Sequence, residues 1–183
     1  DNTNTNATKP SVGTSITDTK SGNSFVVTNP GSTAGNTTPE VAYTGSTNKK
    51  KKSVTIPSSI TYEGVTYSVT SVADKAFKGN KTITNVKVPS TVTEIGASAF
   101  EKCSSLKSVT IGANVSTIDK NAFKSCKNLK KITIKSKKLE SVGKNALKGI
   151  NTNCKIKVPK AKLKDYQKLL AKKGQKKTVK ITK

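Results

Sequence analysis

From Val54 onward, apolar and polar residues alternate in short bursts that return at a nearly constant interval. The pattern V-x-I begins at Val54, Val86, Val109, Ile132, Ile156 and Val179, in steps of 32, 23, 23, 24 and 23 residues. Such alternation sets residues i and i+2 on one face of a strand. Each burst therefore predicts a short strand, with Val109 and Ile111 turned inward and Ser108 and Thr110 outward. A second apolar set recurs between the bursts: Ala76-Phe77, Ala99-Phe100 and Ala122-Phe123, with Leu147 in the fourth place, and Ile83, Leu106 and Leu129 after them. One period cannot bury its own apolar side, so the coils must stack into a solenoid. The V-x-I rungs then form one wall and the Ala-Phe pairs fill the core from the other. The segment around each Ala-Phe pair is expected to make one short helical turn. Gly96 and Gly143 share a register that suits a tight corner, although Ala73 and Asp119 at the equivalent places argue against a requirement for positive φ.

The ends read differently. Residues 1–12, rich in Asn and Thr, are expected to be a disordered linker. Residues 13–70 read as a strand-rich N-terminal cap with the first rung and a hairpin. Its strand candidates are Ser15-Ile16-Thr17, Ser24 to Thr28 and Val41-Ala42-Tyr43, with a turn at Lys20-Ser21-Gly22-Asn23. The first step of 32 leaves nine extra residues, which are supplied by a hairpin around Tyr62 to Tyr67 with Glu63-Gly64 near its tip. Residues 71–183 hold the remaining repeats and a C-terminal cap. In that cap Ala161, Leu163, Tyr166, Leu169 and Leu170 predict a helix over about 160–173, ended by Gly174. Thr178 to Thr182 then reads as a sixth rung, in register 23 residues after Ile156.

Written out, the repeat is I-G-x-x-A-F-x-x-C-x-x-L-x-x-V-x-I, carried best by residues 95–111 and 118–134. It resembles the BspA-like (treponemal-type) leucine-rich repeat over residues 41–183. Copy 72–88 departs with Asn80 in place of Cys, and copy 142–158 with Ile150 for Cys and Leu147 for Phe, as terminal repeats do. The resemblance implies an α/β leucine-rich-repeat solenoid with 23-residue repeats. It also implies an exported bacterial surface protein used in adhesion, extracellular or on the cell surface, and often one module of a longer chain.

Charge narrows the partner. The chain has 34 basic residues, all Lys, against 10 acids, and it has no His and no Trp. Residues 1–48 carry a net charge of −1 and residues 49–183 carry +25. Such a field attracts polyanions. Nucleic acid is disfavoured as the partner, because base recognition leans on Arg and single strands need exposed aromatic platforms. A host protein or glycan, or an anionic wall polymer, suits the composition better. A solvated Lys surface that only keeps the protein soluble is the plainer reading. The run Lys49 to Lys52 reads as an exposed loop. No stretch is long and apolar enough to span a membrane, and a monomer is expected.

Catalysis has little to stand on. Without His there is no imidazole base, the acids are scattered, and no cofactor is implied. Cys103 and Cys126, 23 residues apart, share a register that stacking brings to roughly 5 Å. Either a disulfide or a pair of buried free thiols fits that spacing. Cys154 lies in another register, and three Cys without His make a poor zinc site. What remains is a surface: the outward residues of the rungs, with Lys87, Ser108, Thr110, Lys131, Thr133, Lys155, Lys157 and Lys180 as the candidate binding face, joined by Ser53, Thr55, Asn85 and Thr178. The expected role is non-catalytic recognition or adhesion. A structural spacer projecting another module and a nonspecific polyanion binder are the alternatives.

Overall fold

A computed structural model of the chain describes residues 10–32, 37–48 and 50–183. Most of the expected linker (residues 1–9) and Lys49 of the four-lysine run lie outside the described residues. The chain begins as an antiparallel pair, β1 (Ser15–Asp18) and β2 (Asn23–Asn29), and β3 (Glu40–Ser46) lies antiparallel to β2. Ile16, Phe25, Val27, Val41 and Tyr43 turn inward and are buried. The first rung is β4 (Ser53–Thr55), followed by the hairpin of β5 (Ser59–Tyr62) and β6 (Val65–Val72). Glu63 and Gly64 form its tip with φ of 49° and 76°, the double left-handed turn that matches strand twist.

Strands of the two walls then alternate: β7 (Asn85–Lys87), β8 (Glu94–Ile95), β9 (Ser108–Ile111), β10 (Thr117–Ile118), β11 (Lys131–Ile134), β12 (Ser141–Val142) and β13 (Lys155–Lys157). The chain closes with a 3-10 turn at Lys160–Lys162, α1 (Leu163–Leu169) and β14 (Lys180–Thr182). β4, β7, β9, β11, β13 and β14 build one parallel six-stranded sheet. β3, β6, β8, β10 and β12 run parallel in the second sheet, which β1, β2 and β5 extend antiparallel.

The rungs pair as the repeat predicts through Val54, Val86, Val109, Ile132 and Ile156. The sixth does not. Ile156 pairs with Ile181, a step of 25, and Lys155 and Lys157 pair with Lys180 and Thr182. Val179 falls before the strand, and Thr178 spends its hydroxyl on Thr152 O at 2.6 Å. The helix is also shorter than expected, since α1 ends at Leu169 and the chain has left the helix well before Gly174.

Where one helical turn per coil was expected, each coil instead makes a ribbon of consecutive turns. Alternate N–H groups close turns within the ribbon, as Ala99 to Gly96 O and Glu101 to Ser98 O do. The others donate to the next coil. Lys75, Phe77 and Gly79 bond to Ala97, Ala99 and Glu101 carbonyls at 2.9, 2.7 and 2.7 Å. Ser98, Phe100 and Lys102 bond to those of Lys120, Ala122 and Lys124 at 3.0, 2.8 and 2.8 Å. Asn121, Phe123 and Ser125 repeat the pattern on Lys144, Ala146 and Lys148 at 3.1, 2.9 and 2.7 Å. A helix cannot do this, because it consumes its N–H groups internally. The ribbon requires left-handed residues at two registers: Lys75, Ser98, Asn121 and Asn145 at the first, Gly79, Lys102, Ser125 and Gly149 at the second. Gly96 and Gly143 serve another purpose. Their φ values are ordinary, but a Cβ at Gly143 would stand 2.3 Å from Lys120 N, so glycine there permits close stacking of coils.

The core between the walls is a column of rings. Phe77, Phe100 and Phe123 stack nearly parallel, with centroids 5.1 and 5.2 Å apart and interplanar angles of 11° and 3°. Tyr43 continues the column from the cap, and its hydroxyl donates to the buried Asn23 Oδ1 at 3.1 Å. Cys103 and Cys126 are free and buried, and their thiols donate to Phe77 O and Phe100 O of the preceding coils at 3.0 and 2.9 Å. Hydrogen bonding from Cys103, together with burial, pushes the Cys126 thiol far above its ordinary value, and burial raises that of Cys154 to about 11. Neither is disposed to act as a nucleophile.

Candidate functional site: the outer face of the six-stranded sheet

Parallel pairing in register turns the rung pattern into two columns running along the solenoid. One consists of Ser53, Asn85, Ser108, Lys131, Lys155 and Lys180, the other of Thr55, Lys87, Thr110, Thr133, Lys157 and Thr182. All eight candidate residues lie in these columns. The two-residue slip of β14 keeps Lys180 on the face, removes Thr178 and adds Thr182, which the expected register had left out. Neighbouring strands are about 4.8 Å apart, so Lys131, Lys155 and Lys180 follow one another at that spacing.

The two ends of the face differ chemically. Toward the cap, polar side chains satisfy one another: Ser108 Oγ donates to Asn85 Oδ1 at 2.6 Å, and Asn85 Nδ2 donates to Thr84 Oγ1 at 2.9 Å. Toward the C-terminus, Lys130, Lys131, Lys155, Lys157 and Thr182 line a shallow depression of about 330 Å³. Lys130 belongs to the site although it precedes the strand, and alternation alone could not find it. Among the described residues the ion pairs are Lys78–Glu101, Lys124–Glu101 and Lys162–Asp165, at 3.0, 3.5 and 3.6 Å. None involves a lysine of the face. Like charges facing each other across strands oppose pairing, so these lysines lower the stability of the sheet that presents them. Among the described residues no three His, Cys, Asp or Glu are grouped so as to hold a metal, and no helix is long and apolar enough to cross a membrane.

A family model described as the BspA type leucine-rich-repeat region, in six copies, matches residues 47–169. This chain belongs to the BspA-type leucine-rich-repeat family. Solved structures agree with that membership. A leucine-rich repeat protein from Bacteroides capillosus is 29% identical, with a TM-score of 0.65 over 79% of this chain and 98% of its own. Another, from Bacteroides ovatus, is 33% identical, with a TM-score of 0.55 over 67% of this chain and 34% of its own. A leucine-rich cell surface protein from Faecalibacterium prausnitzii shares the fold at 24% identity and a TM-score of 0.53, over 79% of this chain and 45% of its own. No curated protein matches. In this chain the Phe77, Phe100 and Phe123 column and Cys103 and Cys126 are interior, and the outward residues of the rungs carry Ser, Thr, Asn and Lys.

Proposed function

We propose that the protein is a non-catalytic recognition or adhesion module displayed outside the cell, and that it binds through the lysine-bearing end of the six-stranded sheet. The observation that carries this reading is the column Lys131, Lys155, Lys180 with Lys157 beside it, unpaired with any acid among the described residues, of which Lys131, Lys155 and Lys157 line one depression. Such a cluster costs stability, and a ligand bearing several negative charges would offset that cost. An anionic wall polymer or an acidic host protein or glycan has the matching chemistry, and the lack of Arg speaks against nucleic acid. Location at the cell surface draws on the fold shared with the Faecalibacterium surface protein. A second reading, a spacer projecting another module, needs no ligand for the lysine face.

The test is binding to wall polymer, matrix protein, mucin glycan and duplex DNA at about 0.15 M salt, where exposed charges are screened beyond roughly 8 Å. The Lys131→Glu, Lys155→Glu, Lys157→Glu triple variant runs alongside. Selective binding that the variant loses supports the proposal. Equal binding by the variant overturns the site. Uniform binding to every polyanion that collapses as salt rises reduces the face to bulk charge, and binding to nothing leaves the spacer.

A further inference from the structure

The first turn ribbon, residues 74–79, stands at the start of a ladder in which each ribbon receives three N–H donors from the coil before it. By register its acceptors are the carbonyls of Asp74, Ala76 and Lys78, equivalent to Ala97, Ala99 and Glu101 in the next coil. Among the described residues no N–H or hydroxyl donates to any of the three. The cap supplies Tyr43, whose carbonyl takes the Ala73 N–H at 2.9 Å, but β3 then stays paired with β2 instead of turning along the ribbon. Between them runs a groove of about 600 Å³. Its walls are Thr44 to Thr47 with Ser24 on one side and the ribbon from Ala76 to Asn80 on the other. Gly45 shapes the floor: a Cβ there would come within 2.9 Å of Ala76 O.

The geometry points to this groove as a docking site for a peptide segment of a partner protein that presents a small residue followed by an acid, bound as one more turn ribbon. Ala76 and Lys78 line the groove and Asp74 precedes its wall, so carbonyls at two-residue intervals complement a peptide backbone there, and the molecule satisfies the same arrangement three times with its own chain. Edge addition of this kind takes its affinity from main-chain bonds and its selectivity from side-chain positions. Two such positions are defined. The inward place must hold a small residue, because the ring of Tyr43 already lies on Phe77. The next place must hold an acid, because this column runs Lys78, Glu101, Lys124, with Glu101 bonded to both lysines, and an acid before Lys78 continues the alternation. A second copy of this chain is a poor occupant at a net charge of +24.

The probe is the acetylated peptide GASAAEK, which copies residues 96–102 with Phe100→Ala, titrated into the whole chain while backbone amides are followed by NMR. Saturable shifts confined to residues 44–47 and 76–82 are expected. Methylating the three amide nitrogens that correspond to Ser98, Phe100 and Lys102 abolishes them, and replacing the peptide's Glu by Lys weakens binding several-fold. The Lys131→Glu, Lys155→Glu, Lys157→Glu variant binds the peptide as the wild type does, so this site and the sheet face fail or stand separately. No saturable shift at millimolar peptide, an equal response to the methylated peptide, or shifts mapping to the sheet face would each overturn the proposal.

Discussion

The ring of Tyr43 lies over that of Phe77, 5.4 Å between centroids and 25° between planes, so a cap residue completes the aromatic column of the repeats. Fully buried, Tyr43 also holds the side chain of Asn23 through its hydroxyl. Tyr43→Ala should cost about 3–5 kcal/mol, as other large ring deletions do. Tyr43→Phe keeps the stack but strands Asn23, at about 1–3 kcal/mol. Urea unfolding gives both values, and amide exchange over residues 15–46 should quicken more than that of β9 and β11.

Two glutamates should respond to acid in opposite senses. Glu101 is buried, and its hydrogen bond to Lys78, then those to Ser98 and the charge of Lys124, holds its carboxyl below the usual range. Its contribution to stability is present above the unfolded value of about 4.3 and is lost as pH falls through the depressed folded value. Desolvation, then the charges of Asp119 and Asp74, raises the carboxyl of Glu94. Its ionised form therefore disfavours folding at neutral pH, and that penalty vanishes once pH drops below the unfolded value. Glu101→Gln should lower the urea midpoint at pH 7 and Glu94→Gln should raise it. Both differences should shrink in acid, and a pH series of midpoints checks the signs.

The second left-handed register of the ribbon is occupied by Gly79 and Gly149 but also by Lys102 and Ser125. A Cβ at Gly79 would meet nothing within 4 Å, so Gly79→Ala tests conformation alone and should cost about 1 kcal/mol. Lys102→Gly releases the same strain at φ 60° and should raise stability by about 0.5 kcal/mol after the entropic cost of glycine. Gly96→Ala, at an ordinary φ, should instead cost stability through collision, since a Cβ there would stand 2.5 Å from Asp74 Oδ1 and 2.7 Å from Asp74 N. Thermal midpoints of the three variants separate strain from collision.

Tyr166 of α1 ties the C-terminal cap to the last full coil. Its hydroxyl donates to Ser136 O at 3.1 Å and accepts from Leu139 N at 2.9 Å, all in a buried setting. Tyr166→Phe leaves both backbone groups without a partner and should cost about 1–3 kcal/mol. Hydrogen exchange should report earlier opening of residues 136–139 and 163–170.

The rungs were legible because period-two alternation and a fixed repeat together set strand face and register, which placed all eight candidate residues on the outer face. β14 was misplaced because Thr178 to Thr182 offers two alternations of equal length. The match of Lys180-Ile181 to Lys155-Ile156 favours the right one, but spacing favoured the other. The ribbon was misread as helical, although Gly79, Gly149, Asn121 and Asn145 mark its left-handed registers, residue types that tolerate positive φ. Tyr43 and the groove beside it were not legible, since the cap shares no period with the coils and only tertiary placement brings Thr44 to Thr47 opposite Ala76 to Asn80.

The one 24-residue step locates a tolerance in the frame. Ile111 and Ile134 pair across 23 residues, Ile118 and Val142 across 24, so the additional residue sits between Lys135 and Ser141. It is the stretch whose backbone Tyr166 holds. From β7 to β13 coil length is thus 23 residues with a single fitted exception, between the 32-residue hairpin coil and the 25-residue closing step. Removing or copying one whole coil would move the cap and α1 nearer or farther by about 4.8 Å, whereas the one extra residue of the 24-residue coil sits where a phenol holds its backbone. The protein is a ruler whose graduations can be added or deleted but not stretched.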